Sequence, residues 1–472
     1  MRLGAATSRA GKKPLLVPLL LLALSSVLWC ATAATNSVPP PTKAACGQLV
    51  AAINNLARTL ATQLESVGGS PKAEIFSPVS IGTMMFLLLR AANSSLRNEL
   101  LKILQLDQFR EGNTTSQITK NFGHLLKEFT HDIAGKGILD ELPAWQGKQS
   151  CYPGDAGNFD EYDDDEFLPE PVQPNVVQLA NGMFVQDGFL PNSTDFVRLA
   201  RTLYHARIER VNFREQPEAT RSTINRWVSE STRGRIAEIL ADSLPRGTQM
   251  VLASALYFKA TWETFFNDPQ YTRPQPFFPD GEDQPPVQVP TMFTGGCFPY
   301  HASPELDASI MAFPYRNRTT SMYIILPNAS NRAKVRALRA KLDSATLDRL
   351  IGQMKRQKAT VVFPRLHLNN RYNLRSALEQ LGLQALFDPR KNNLKFGQPV
   401  GKGAKKLYVD SMVHQIDLEV NEHGTEGGAV TMTAMERSLP PVNFRVRGPF
   451  LIAIRHDPTK MLLFYGAVYD PS

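Results

Sequence analysis

Catalysis needs a nucleophile, a base or a set of metal ligands at workable spacing, and this chain of 472 residues offers few of them. It has no Gly-x-Ser-x-Gly elbow, no phosphate-binding glycine loop with its lysine, and no His-Glu-x-x-His pair. The histidines (His124, His131, His205, His301, His367, His414, His423 and His456) are too scattered to suggest a metal site. The stretch that does stand out is EVNEHGTEGGAVTMTAMERSLPP, Glu419 to Pro441. Taken two by two, Thr425, Gly427, Ala429, Thr431, Thr433 and Met435 share one face, and Glu426, Gly428, Val430, Met432, Ala434 and Glu436 the other. Both charges lie on the second face, which suits a strand packed on a core from one side. An ordinary edge strand or a glycine-containing linker explains the stretch equally well when it is taken alone.

The remaining elements must position it. With 43% hydrophobic and 20% charged residues the chain is globular, with ample material for a large core. Arg2, Arg9, Lys12 and Lys13 precede an apolar run from Leu15 to Cys30, and Ala31 and Ala33 frame Thr32. That pattern predicts a secretory signal peptide over 1–33 and a short tail over 34–45, hence an extracellular protein. Pro18, Ser25 and Ser26 interrupt the run and disfavour a membrane anchor, and no later segment is a spanning candidate. Removing the signal takes four positive charges from the formal +8, so nucleic-acid binding is not inferred. Asn93, Asn113, Asn192, Asn317 and Asn328 each begin a glycosylation sequon. Cys46, Cys151 and Cys297 remain after Cys30 leaves, an odd set in which at least one thiol is free or paired with another chain.

Apolar periodicity predicts helices over Cys46–Leu64, Phe76–Leu106 and Gln117–Phe129, and further on over Glu218–Leu240, Ala333–Lys355 and Leu374–Leu383. Strands are predicted at Val176–Val185, Met250–Lys259, Met322–Leu326, Ala359–Phe363, Lys406–Glu419, Asn443–Val446, Phe450–Arg455 and Met461–Val468. Residues 133–174 lack either period and read as an insertion. Helices first, then strands with scattered helices, is an α+β layout.

Several stretches, in order, resemble the serpin family: FSPVSIGTMMFLLLRAANSSLRNELLKIL, INRWVSESTRGRIAEIL, MVLASALYFKATWETFF, VVFPRLHLNNRYNLRSALEQLGLQALFD, LYVDSMVHQIDLEVNEHGTEGGAVT and PFLIAIRHDPTKMLLFYGAV. The resemblance spans nearly all of 46–472 and implies a single domain. It also implies three β-sheets, about nine helices and an exposed reactive-centre loop over about 422–443 that can add to a sheet as a strand. Glu422, Gly424, Thr425, Glu426, Gly427, Gly428 and Ala429 fall on the family's hinge. Ser80, Asn225 and His414 match a polar cluster beneath the opening sheet, and Trp262 matches the tryptophan at the top of its gap.

The implied function is a suicide-substrate inhibitor of trypsin-like serine proteases, not an enzyme, acting as a monomer with no membrane partner and no cofactor. The protease would attack the carbonyl of Arg437 and free the amine of Ser438. Arg437 lies 13 residues after Gly424, one fewer than the commonest family spacing, which would place the cut at Ser438–Leu439 instead. Gly427 and Gly428 stand where the family favours alanine. Signal and long insertion look like those of arthropod body-fluid serpins, which would imply control of a melanisation, clotting or innate-immune cascade. A non-inhibitory carrier or hormone precursor is the alternative. The acids Asp160, Asp163, Asp164 and Asp165 around Tyr162 would suit a basic exosite on the protease, with Tyr162 a candidate for sulfation, or else form a solvated insertion. Arg332, Lys334, Arg336, Arg339, Lys341, Lys355, Arg356 and Lys358 resemble in density the glycosaminoglycan-binding helices of some serpins, although such charges are usually a solvated face.

Overall fold

The computed structural model describes residues 42–67, 71–110, 112–130, 137–139, 141–147, 151, 175–188, 194–391, 393–394, 407–425 and 440–472. The predicted signal peptide therefore lies outside the described residues. So do Asn192, the Asp160–Asp165 run with Tyr162, Glu426, Gly427, Gly428, Ala429, Arg437 and Ser438.

Nine α-helices occur among the described residues: α1 (Lys43–Val67), α2 (Pro78–Ala91), α3 (Ser94–Ile103), α4 (Gly112–Thr130), α5 (Thr194–Tyr204), α6 (Pro217–Ser231), α7 (Arg332–Lys341), α8 (Ser344–Gln353) and α9 (Arg375–Gln380). Helix α2 starts at Pro78 because the Ser77 side chain accepts the Ser80 amide and proline needs no partner at the first turn. All but one of its residues are buried, so it is the central helix of the fold. The single predicted helix over 333–355 divides into α7 and α8, because Asp343 caps a new start by accepting the Thr346 amide.

One sheet carries the functional elements. Its strands β2 (Val176–Gln186), β3 (Ala206–Val211), β4 (Met250–Thr261), β10 (Leu366–Asn373) and β11 (Ser411–Val420) lie in the order β10-β11-β4-β2-β3, and the short β12 (Gly424–Thr425) pairs with β4. The other sheet contains β1 (Ala73–Phe76), β5 (Arg273–Phe277), β6 (Val287–Ser303), β7 (Ala308–Pro314), β8 (Thr320–Pro327), β9 (Lys355–Pro364), β13 (Val442–Arg445), β14 (Phe450–His456) and β15 (Met461–Val468). The α+β class is as expected. Two of the three expected sheets are joined by hydrogen bonds, because β6 runs 17 residues and pairs with β7 at one end and with β5 at the other.

Alternation along the first sheet separates two cores. Ala180, Phe184, Val251, Ala253, Ala255 and Val413 face Ile224, Trp227 and Val228 of α6. The opposite face, with Met183, Leu252, Leu256, Met412 and Ile416, packs on the main core around α2 and β15. Cys151 and Cys297 form a disulfide and Cys46 is free and buried, which closes the odd count within one chain.

Helix α7 docks through a buried ion pair. Arg339, 1% exposed, reaches Glu74 of β1 at 2.7 Å, and the Tyr469 hydroxyl donates to the same carboxylate at 3.2 Å. Removing one partner of such a pair strands the other charge in the core. Arg339→Met should therefore lower stability by about 3–5 kcal/mol, while Arg339→Met with Glu74→Gln should cost much less. Urea unfolding midpoints of the two variants check this.

Candidate functional site: a half-open strand pair and its hinge

Strands β4 and β11 run parallel as neighbours, but they pair only from Val251–Leu256 against Ser411–Ile416. Beyond that point they part. Asp417–Val420 pair with β10 alone and Tyr257–Lys259 with β2 alone, so each has a ladder on one edge. At the open end the chain leaves β11, turns at Asn421–Gly424, and sends Gly424 and Thr425 back antiparallel to β4, opposite Thr261 and Ala260. A strand entering the gap in this direction would oppose both of its neighbours.

The turn is held tightly. Gly424 has φ +149°, and a Cβ there would come within 2.1 Å of the Ala260 carbonyl oxygen, so only glycine fits. Trp262 donates its indole N–H to the Asn421 carbonyl at 2.9 Å and its backbone N–H to that of His423 at 3.1 Å. Its ring stacks on Tyr315 with centroids 4.5 Å apart, and the Tyr315 hydroxyl pairs with Thr425 Oγ1 at 2.9 Å. Trp262 is thus a clamp on the hinge as well as core packing. The buried Glu422 accepts from Arg365 at 2.6 and 2.7 Å and from the Thr272 hydroxyl. Its backbone carbonyl takes the Phe266 amide at 3.1 Å. Two arginines from the segment after α6 lie over the open end. Arg233 sits 5.2 Å above the Tyr257 ring of β4, and Arg235 pairs with Asp417 and Glu419 of β11 at 3.2 and 2.8 Å. Each strand beside the gap is gripped from one loop.

Beneath the closed half lies a polar cluster. Ser80 Oγ lies 2.7 Å from Ser254 Oγ and donates to Asn181 Oδ1 at 3.2 Å. His414 Nε2 accepts the Ser77 amide at 2.9 Å, a fixed donor, so Nδ1 carries the proton and donates to the Ser254 carbonyl at 3.1 Å. His414 and Ser254 are register partners, so this bond crosses the seam that insertion would open. Burial pushes the His414 pKa down to about 3, and the imidazole is neutral at physiological pH.

Asn225 is not in this cluster. It lies on α6, on the opposite face of the sheet, donating to the Leu240 carbonyl at 2.9 Å and accepting the Ile239 and Leu240 amides at 3.1 and 2.9 Å. Its geometry anchors the segment that carries Arg233 and Arg235. Asn181 of β2 and Ser254 of β4 supply the cluster instead; both are buried polar residues inside strands predicted from sequence, which was the available signal. The loop's two described ends are held in different sheets, Gly424–Thr425 on β4 and Val442–Arg445 on β9.

The secondary sites fare unevenly. Asn93 caps α3 by accepting the Leu96 amide and donates Nδ2 to Asn393 Oδ1 at 2.7 Å, so a glycan on that nitrogen would displace a structural bond. Asn317 accepts from Asn175 at 2.6 Å, and the exposed Asn328 donates to Asp307. The Asn113 side chain lies outside the described residues. Of the basic residues, Arg339 is buried against Glu74, Arg332 pairs with Asp280, Lys334 with Asp307, Arg336 lies 5.8 Å from the Tyr469 ring, and Arg356 pairs with Glu263. Among the described residues no group of acids, cysteines and histidines could hold a metal ion, and no helix is long and apolar enough to cross a membrane.

A family model described as serpin (serine protease inhibitor) matches residues 51–471. The Drosophila melanogaster protein Serine protease inhibitor 28Dc is 33% identical over 430 residues, covering 85% of this chain and 76% of that one. Human Serpin B12 is 28% identical over 405 residues, covering 84% and 93%. Among solved structures, human thyroxine-binding globulin aligns with a TM-score of 0.72 at 21% identity, over 91% of this chain and all of that one. Mouse protein-Z dependent protease inhibitor gives 0.70 at 22%, over 91% and 98%, and uncleaved ovalbumin 0.70 at 22%, over 90% and 100%. At those identities the structural likeness concerns the fold. With the family model spanning nearly the whole described domain, the chain belongs to the serpin family.

Proposed function

We propose that this serpin is a secreted suicide-substrate inhibitor of trypsin-like serine proteases. The carrying observation is the β4–β11 ladder that stops half-way, beside a hinge already antiparallel to β4. Carried on in the same register, residue 426 would fall between Lys259 and Glu419, and residue 434 between Val251 and Ser411. The two edges agree, because Thr425 opposes Ala260 and Gly424 opposes Asn421 in ladders offset as β4 and β11 themselves are. Insertion would break the six-residue parallel pairing and replace it with hydrogen bonds on both edges of a central strand. At about 0.5–1.5 kcal/mol net per bond, the gain is of order 10 kcal/mol.

The protease serine attacks the Arg437 carbonyl, the peptide bond breaks, and the triad histidine passes its proton to the Ser438 amine. The acyl ester to Arg437 remains. Loop insertion then carries the tethered protease about 40 Å along β4 from the level of Thr425, at about 3.3 Å per residue, and distorts its oxyanion hole before water completes the cycle. Arg437 selects the target, since a guanidinium pairs with a carboxylate at the base of a trypsin-like pocket. The Cys151–Cys297 disulfide supports an oxidising, extracellular setting. The name of the Drosophila relative supports the inhibitory reading. The process proposed for the present chain is control of an extracellular protease cascade such as melanisation, clotting or innate immunity. A carrier without a trap shares the fold, as thyroxine-binding globulin does. The small or hydroxyl residues at Thr425, Gly427, Ala429, Thr431 and Thr433 favour insertion over that reading.

Incubation with trypsin should give a detergent-stable adduct and release a C-terminal peptide starting at Ser438, and Arg437→Ala should abolish both. A peptide without an adduct would make the chain a plain substrate.

The clasp at His414 predicts a pH dependence. Its folded pKa lies near 3 against about 6.5 unfolded, so its contribution is complete above about 6.5 and is lost as pH falls toward 3. Protonation should part the seam and speed spontaneous insertion. The buried Asp457, pushed up to about 6, acts in the opposite sense on global stability, so the comparison needs a local variant. After incubation at pH 4 and neutralisation, the wild type should contain more heat-stable, inactive protein than after incubation at pH 7. His414→Gln should lose most of that pH dependence.

A further inference from the structure

The insertion between α4 and β2 is described at Gly137–Leu139, Glu141–Gly147 and Cys151, and every piece is fastened. The Ile138 amide donates to Glu128 Oε1 at 2.8 Å, and the Glu141 amide to the Pro458 carbonyl at 3.2 Å. Glu141 pairs with Lys460 at 2.9 Å, and Gln146 donates to Asp457 Oδ2 at 3.1 Å. Cys151 is bonded to Cys297 of β6. Trp145 is 3% exposed, a large apolar anchor set into the domain.

That tryptophan leads toward the hinge. The Arg356 guanidinium lies 5.6 Å from its ring centroid, with the arginine side chain 6% exposed. The same guanidinium pairs with Glu263 Oε2 at 2.9 Å and donates to the Cys297 carbonyl at 3.4 Å. Arg318 takes the other Glu263 oxygen at 2.8 Å. Glu263 is the residue after Trp262, whose two N–H groups hold Asn421 and His423. A nearly buried guanidinium with an aromatic face on one side and a carboxylate on the other is sensitive to loss of either, because water then reaches the pair.

We propose that the described part of the insertion, 137–139, 141–147 and Cys151, is a strap that positions the hinge clamp: Trp145, flanked by the Cys151–Cys297 disulfide, holds Arg356 on Glu263 and so fixes the end of β4 at Trp262. Trp145 and Arg356 are positioning residues, acting through Glu263 on the bonds that keep the gap ready but unfilled. The inference deepens the proposed inhibitory reading, since the strap would set how readily the loop enters the sheet. Its structural half, coupling of strap to clamp, stands without any protease.

The test is hydrogen exchange of the full chain with residue-level resolution, read at the Trp262 and Phe266 amides, which donate to His423 and Glu422. Trp145→Ala should raise exchange at both by about 2- to 30-fold, the range of a cation–π contact from exposed to desolvated, with Trp145→Phe restoring most of the protection. Dithiothreitol supplies a second route that needs no variant to fold. It reduces the bridge to two thiols as it closes to its own cyclic disulfide, and the wild type should then resemble Trp145→Ala. A Cys151→Ser, Cys297→Ser double variant should not respond to the reductant. Unchanged exchange at both amides after the strap is released would overturn the proposal, and so would an equal rise across the whole β2–β4 ladder, which marks general loosening. Failure to inhibit trypsin, with the exchange result intact, would instead remove the inhibitory reading and leave the coupling standing.

Discussion

Two parallel strands that are zipped for half their length are the constraint on which the rest of this molecule depends. Central strands normally satisfy both edges, yet Asp417–Val420 and Tyr257–Lys259 have a ladder on one edge each. The surrounding side chains make sense as answers to that arrangement. Trp262, Tyr315 and Glu422 fix the chain where it turns into the gap, Arg233 and Arg235 lie over the opening, and His414 with Ser254 fastens the half that is closed. Under the proposed inhibitory reading, the fold held this way is a kinetic state in which a better-paired sheet lies behind a barrier.

Under that reading the barrier lies in short-range bonds at the seam. Both faces of the sheet are packed, against α6 on one side and against the main core around α2 on the other. The bonds at the seam are few and local: six register pairs, one histidine bridge and the three contacts of Arg233 and Arg235. In the proposed mechanism that economy would let a single cut in the loop release a large rearrangement. It also gives a peripheral element such as the Trp145 strap a place to act, since a small change at the end of β4 falls on the same bonds.

The central strands were legible because β4, β14 and β15 are apolar along most of their length and β11 alternates apolar and polar residues from Gln415 to Val420. Strands β1, β3, β5, β6, β7, β10 and the short β12 were not foreseen. Arg273-Pro-Gln-Pro-Phe carries two prolines that only an edge strand tolerates, and Leu366–Asn373 is largely polar along one outer edge. Helix α6 ends at Ser231 rather than near Leu240, because Arg233 takes the left-handed position after the Thr232 cap and the Gly234 amide closes back on the Ser229 carbonyl, and residues 239–240 then bond to Asn225. The cluster beneath the sheet was half visible. Ser80 and His414 could be placed from the family pattern, whereas Asn181 and Ser254 become its members only through register. The disulfide joins residues 146 positions apart, a pairing that sequence spacing does not encode.

Comparing the melting temperatures of the intact chain and the chain nicked once at Arg437–Ser438 tests the central claim most directly. If the half-open sheet stores the proposed free energy, the nicked form should melt more than about 10 °C higher, since a gain of order 10 kcal/mol spread over a domain of this size shifts melting by that much. Equal melting temperatures would mean that the severed loop finds no place between β4 and β11, and would contradict the account.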